Sequence, residues 1–266
     1  MGFHKNFIKS LGVYVFTLAV SLPATAQDSA HSLLDNAWAF LGIPYVAHTL
    51  DNDTTQERLI INCDEVDCTT FVEYVLAMTL AEAHHKHIHK NDFANTLQKI
   101  RYRNGIIDGY TSRLHYITDW IENGIRLGFL TDVSSEHSPY KTKTQISYMS
   151  SHPERYKQLA HSPQNVARMK KIEKGLSEKE IRYVPKEKLA ADGFPWIKDG
   201  DIIAITTNIA GLDISHLGIA CYKKGKLHLL HASSSAKKVI LSRIPLQQML
   251  NISNTWTGIR VIRMKI

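Results

Sequence analysis

What this 266-residue chain has little of is cysteine: Cys63, Cys68 and Cys221 are the full set. Three is an odd number and too few for the disulfide framework of a small secreted scaffold, so at least one thiol stays free unless it pairs between chains. The chain also lacks a long apolar run. Its most apolar stretch, Leu11 to Leu22, is shorter than the roughly 20 residues a membrane span needs. No internal repeat is present, and no linker is long or Gly/Ser-rich enough to tether a second module. No basic run interleaved with aromatics offers a nucleic-acid surface, and no HExxH pattern offers a zinc site.

What is there begins with an export signature. Lys5 and Lys9 precede the apolar stretch, and "PATAQ", with small residues at Ala24 and Ala26, follows it. That three-part layout is a secretory signal peptide over residues 1–26, with cleavage after Ala26 and no stable membrane insertion afterwards. The remainder, about 240 residues, suits one domain with a sizeable core and a large insertion. A net charge of +7 fits anionic partners such as cell-wall polymers. In an oxidising compartment a free thiol is a liability, so it asks for a function. For Cys221, among apolar Leu217, Ile219 and Ala220, plain burial suffices.

The pattern reads as helices first and strands last. Ser32 to Leu41 carries apolar residues at helical spacing and ends in a "GIPY" turn. From Asp67 onward, Cys68, Phe71, Val72, Val75, Leu76, Thr79 and Ala83 fall at steps of three and four, on one helix face. Asp67 is the natural N-cap, so Cys68 opens the helix, where the dipole favours thiolate over thiol. Helical spacing returns at Phe93, Leu97 and Ile100, and again at Leu114, Ile117, Ile121 and Ile125; residues 134–190 read as short helices and loops. "GDIIAITT", "SHLGIACY", "KLHLLHAS", "KKVILS" and "GIRVIRMKI" read as strands of a meander. The fold class predicted is α+β, with the Cys68 helix on an antiparallel sheet and a helical insertion over about 84–190.

A cysteine nucleophile needs a base and a group to orient that base. A two-residue turn at Lys224-Gly225 pairs Tyr222 with Leu227, so Gly218 faces His231 and His216 lies diagonal to it. Diagonal partners are ~7–8 Å apart at the backbone, a gap two imidazoles bridge. His228 falls on the other face with Cys221 and is excluded. The roles that follow are Cys68 as nucleophile, His216 as base and then acid, and His231 as its holder. The Cys68 backbone N–H and the Tyr45 hydroxyl would receive the oxyanion.

These residues also carry a resemblance. "VDCTTFVEYVLAM", "GIPYV" and "DISHLGIACY" followed by "HLLHASSS" resemble the nucleophile, tyrosine and histidine motifs of the NlpC-type cell-wall peptidases, which have a papain-like fold. "DCTTFVE" together with "RYRNGIIDGYTSRLHYITDWI" is similar to their N-acetylmuramoyl-L-alanine amidase-like branch. The resemblance runs from about Leu33 to the C-terminus. It implies Cys68, His216 and His231 as the catalytic three, Tyr45 as helper, peptidoglycan fragments (muropeptides) as substrate, a periplasmic setting, and no metal or organic cofactor. Cys63 departs from the pattern and reads as incidental.

Two stretches remain. "HHKHIH", His84 to His89, could chelate zinc and otherwise reads as a solvated helix end. In "TSRLHYITDWIENG", Arg113 could pair with a substrate carboxylate, Tyr116 could stack on a sugar, and His115 stands between them. A surface salt bridge and a core tyrosine are the structural alternatives. The function expected is a cysteine amidase cutting the bond between N-acetylmuramate and L-alanine. Its rivals are an endopeptidase of the same fold and a silent wall-binding module. Export with cleavage after Ala26 puts the mature N-terminus at Gln27, which N-terminal sequencing of envelope material checks; a chain still starting near Met1 would mean an anchored form.

Overall fold

The computed structural model describes residues 33–51, 56–84 and 90–266. The signal-peptide segment, residues 1–26, and most of the "HHKHIH" run lie outside the described residues.

Helix α1, Cys68–His84, is the centre of the molecule. Asp67 caps it as the sequence predicts: its Oδ1 accepts the amides of Thr69 (3.0 Å) and Thr70 (2.8 Å), and Thr70 Oγ1 accepts the Asp67 amide in return. Such reciprocal capping is worth about 1 kcal/mol and fixes where the helix begins, hence where Cys68 stands. The helix is not one-faced. Every residue from Thr70 to Ala77 is buried, while Ala83, expected on the apolar face, is exposed. A helix apolar nearly all round belongs inside a protein.

α1 packs against α2, Lys90–Arg101, and against the sheet. A buried ion pair joins the two helices: Arg101 Nε donates to Glu73 Oε2 at 2.7 Å, with both side chains at most 2% exposed. Arg101 also donates to the Ile60 carbonyl and lies over the Tyr74 ring, and the Tyr74 hydroxyl accepts the Asn62 amide. The polar loop before α1 is therefore anchored from inside. Ahead of it, residues 33–38 are helical, and the helix ends three residues before the Leu41 expected.

Among the described residues the main sheet has seven strands. Five are long enough to matter beside β1, Leu130–Asp132: β2 (Ile202–Thr207), β3 (Ile214–Lys223), β4 (Lys226–Ser233), β5 (Lys238–Leu241) and β6 (Trp256–Met264). All pairings are antiparallel, in the order β1-β6-β2-β3-β4-β5, with Val184–Pro185 also on β6. β2 to β5 form the expected meander. β6 does not extend it: the chain passes through a short helix, Leu246–Ile252, and β6 inserts beside β2. A meander reading follows local turns, and no local turn encodes this return.

The fold is thus α+β with an antiparallel sheet. The stretch expected as a helical insertion holds helices, yet it also supplies β1 and Val184–Pro185 to the sheet. Leu114 is not part of a helix with Ile117 and Ile121. Residues 110–112 form a 3-10 turn, Arg113 is extended, and α3 spans Ile117–Arg126. The 134–190 region contains one long helix the sequence pattern did not give, α4, Pro163–Ser177, capped by Ser162 and closing its own small core over Tyr116, Ile146 and Met149. No described helix is long and apolar enough to cross a membrane.

Breaking the Glu73–Arg101 pair from one side strands a buried charge, at a cost of about 3–5 kcal/mol. Glu73→Leu or Arg101→Met should each lower the urea unfolding midpoint sharply. Combining Glu73→Leu with Arg101→Met in one chain should recover much of the loss, as an equilibrium double-mutant cycle would record.

Candidate active site

β3 and β4 meet in the predicted register. Tyr222 pairs with Leu227 and Ile219 with Leu230 around the Lys224-Gly225 turn. Both turn residues have positive φ, 52° and 72°, as a tight hairpin turn of this hand demands. Three residues before Ile219 the strands bring His216 and His231 together: His216 Nε2 and His231 Nδ1 are 2.7 Å apart, with rings at 89°. Gly218 makes this possible. A Cβ there would come within 2.7 Å of Leu229 Cγ and 3.0 Å of His231 Cβ. His228 pairs with Cys221, and its Nδ1 contacts the Ser242 carbonyl, away from this pair.

Cys68 lies at the same end of β3. Its thiol faces the backbone N–H of Leu217, the residue after His216, and the Thr69 hydroxyl. Tyr45, held by a hydrogen bond from its amide to the Lys237 carbonyl and by a bridge to Val66, is near enough to feel both the Cys68 and Asp67 charges. All three cysteines are free thiols.

The thiolate expected from the helix dipole is not the resting state. Burial, and then the Asp67 carboxylate, push the Cys68 thiol up to about 11; the Leu217 N–H, the Thr69 hydroxyl and its own N–H oppose them with less effect. Burial, and then the neighbouring His231, push His216 down to about 3, and burial alone takes His231 to about 4. Both imidazoles and the thiol are therefore neutral at pH 7. The dipole effect is confined to the first turn and is smaller than the cost of burying a charge beside a carboxylate.

The ligand-binding residues expected, Arg113, His115 and Tyr116, have internal partners. Arg113 is 7% exposed, 3.3 Å from Glu57 Oε1, and lies over the Tyr110 ring. Tyr116 is 2% exposed; its hydroxyl donates to Glu173 and accepts the Met149 amide. His115 packs on Tyr110 and contacts the Tyr110 carbonyl through Nε2, and burial with Arg113 nearby lowers it to about 3. Arg101 and Arg103 pair with Glu73 and Asp119. Tyr116 is thus a core tyrosine, while the Arg113 ion pair is buried and not on the surface as expected. Their partners Glu57 and Glu173 are distant in sequence, which is why spacing could not expose the pairing.

One contact has no sequence signal. The Trp256 ring, at the start of β6, stacks on His216 with centroids 5.8 Å apart and planes within 15°. Trp256 is far along the chain and only the return of β6 beside β2 places it there.

A sequence model of the AmiA-like, N-acetylmuramoyl-L-alanine amidase-like family matches residues 36–259. Among solved structures, an N-acetylmuramoyl-L-alanine amidase from Bacteroides uniformis is 63% identical, covering 90% of this chain and 99% of that one, with a TM-score of 0.87. A Bacteroides fragilis protein bearing a xylanase name is 60% identical over 87% of this chain and 100% of its own, with a TM-score of 0.84. A Legionella pneumophila protein at 20% identity and TM-score 0.66 shares the fold. No match is found among curated proteins. The chain belongs to the N-acetylmuramoyl-L-alanine amidase-like family.

His115 and His216, half-buried, and the buried His231 carry a pH signature. Their folded values lie below 6.5, so the unfolded chain takes up protons first as pH falls. Their contribution is complete above about 6.5 and is lost on the way down to 3–4. Glu73, Asp201 and Asp213, raised by burial, act in the opposite sense. The test is therefore differential: His115→Gln, which retains a polar group toward Tyr110, should gain on the wild type by about 1–2 kcal/mol between pH 7 and pH 5 in urea titrations.

Proposed function

We propose that this chain is an exported cysteine amidase of papain-like, NlpC-type architecture, acting on peptidoglycan fragments in the periplasm. It cleaves the amide joining the lactyl group of N-acetylmuramate to L-alanine. The observation that carries the reading is the 2.7 Å contact between His216 and His231 at the end of the strand against which the Cys68 thiol lies.

The chemistry follows from that pair. With the His216 proton on Nε2, donated to His231 Nδ1, the Nδ1 lone pair is left to act as base. Cys68 Sγ forms a bond to the lactyl carbonyl carbon as its proton passes to His216 Nδ1. The carbonyl oxygen becomes an oxyanion, received by the Cys68 N–H and the Tyr45 hydroxyl. His216 then protonates the alanine nitrogen as the carbon–nitrogen bond breaks, leaving a thioester. Water, deprotonated by His216, attacks the thioester; the thiol is restored and the muramate lactyl carboxylate leaves. Starting from neutral thiol and imidazole, proton transfer accompanies attack, and no standing thiolate is exposed to oxidants.

The name of the Bacteroides uniformis relative supports the same bond. The xylanase name of the other relative would require paired carboxylates flanking a sugar. Here Asp67 is committed to the α1 cap and Asp213 accepts the Thr118 amide at 2.7 Å. Arg113, His115 and Tyr116 are left out of the substrate contacts, because each is engaged within the protein.

Mass spectrometry of products from a defined muramyl-tetrapeptide tests the assignment. Free peptide beginning with L-alanine is expected. A muramyl-dipeptide plus the remaining stem would mean an endopeptidase, and binding without turnover a wall-binding module. Cys68→Ala and His216→Ala should abolish turnover with folding retained. His231→Ala should leave a remnant, while His228→Ala should keep most activity.

A further inference from the structure

The stack of Trp256 on His216 is built by the backbone. β2 pairs Ile205 with His216 but Thr206 with Ile214, so Ser215 is an extra residue in β3. On its other side, β2 pairs Thr206 with Gly258 but Thr207 with Trp256, so Thr257 is an extra residue in β6. Two β-bulges thus flank the same point of β2, one just before His216 and one just after Trp256. Bulges break the two-residue alternation and re-aim the neighbouring side chain. A hydrogen bond between the Thr206 and Thr257 hydroxyls, 2.8 Å, closes the gap between the bulges. The approach to Trp256 is fixed as well: its amide donates to Ser253 Oγ at 3.2 Å, and the Thr255 carbonyl accepts from Thr207 Oγ1 and the Asn208 amide.

The two faces of the His216 ring system are therefore set by two different strands: His231 meets its Nε2 edge at right angles, and Trp256 covers its plane. The neutral resting imidazole needs only the first. The second matters when the ring gains a proton. A cation held over an indole face within about 6 Å is attracted by the negative face of the ring, and Trp is the strongest aromatic in this role. Among the partners described for His216 no carboxylate is present, since its holder is a second histidine.

We infer that Trp256 is a positioning residue for catalysis, fixing the plane of His216 and stabilising the imidazolium that forms when His216 takes the Cys68 proton. This rests on the cysteine-amidase reading and adds to it a group that acts through His216. The effect belongs to the chemical step, so it should appear in kcat and leave KM unchanged.

The experiment compares Trp256→Phe with Trp256→Leu, side chains of similar bulk of which only Phe keeps an aromatic face. With a muramyl-peptide substrate, Phe should retain kcat within about threefold and Leu should lose about tenfold at unchanged KM, a loss equivalent to about 1.4 kcal/mol of barrier. Because Leu could loosen the strand, the second arm keeps the ring and its size. Tryptophans carrying one to four fluorines, placed at 256 by nonsense suppression, withdraw electron density from the face, and log kcat should fall with each fluorine. A flat fluorine series, or Phe and Leu variants with equal kcat, overturns the role while Cys68→Ala remains inactive. Turnover by Cys68→Ala would instead remove the cysteine reading and this inference with it.

Discussion

The buried pair of Glu73 and Arg101 is the constraint on which the site depends. Glu73 sits one turn and a residue beyond Cys68 on a helix enclosed on nearly all sides, where an unpaired carboxylate is untenable. Burial works against the Arg101 charge, yet Glu73 and Tyr74 hold it. The same guanidinium reaches the Ile60 carbonyl, and Tyr74 takes the Asn62 amide, so the pair orders the loop that delivers Asp67 to its cap. A second cluster acts in parallel, with Glu57 bridging Tyr102 and Arg113. The cationic, aromatic stretch from 101 to 116 is thus a clamp on the approach to the nucleophile.

Cys68, His216 and His231 are all pushed toward their neutral forms, by burial before anything else. Orientation by a histidine, where a carboxylate would have introduced a standing negative charge, suits such surroundings. On the proposed mechanism charge must be created during reaction, which makes preorganised groups around His216 and around the oxyanion more valuable than in a site with a preformed ion pair.

What could be read from the sequence was local or periodic. The Asp67 cap, the start of α1, the two-residue turn and the His216–His231 register each follow from residues within a few positions of one another, or from strict alternation across a short hairpin. The failures are non-local. Arg113 and Tyr116 have the composition of a ligand surface, and only Glu57 and Glu173, some 56 and 57 positions away, make them structural. The bulges at Ser215 and Thr257 obey pairing with β2, which no motif in β3 or β6 announces. The α4 helix is polar enough on its exposed face that its few core residues, Met169 and Leu176 among them, left a weak period. Burial likewise decided the ionisation of Cys68 against a helix end that sequence made conspicuous.

The position of β6 has a consequence for how the molecule comes into being. The strand formed by the last residues of the chain is interior to the sheet, between β1 and β2. Until it arrives, β1 and Val184–Pro185 have no partner in the sheet and β2 presents an open edge. Pairings between positions as far apart as Asp132 and Ile262 also carry a large loop-closure cost and slow folding. A nascent chain therefore cannot assemble this sheet until residues 256–264 have emerged. The sheet, and with it the strand ends that hold His216 and Trp256, takes shape only once this late strand is in place.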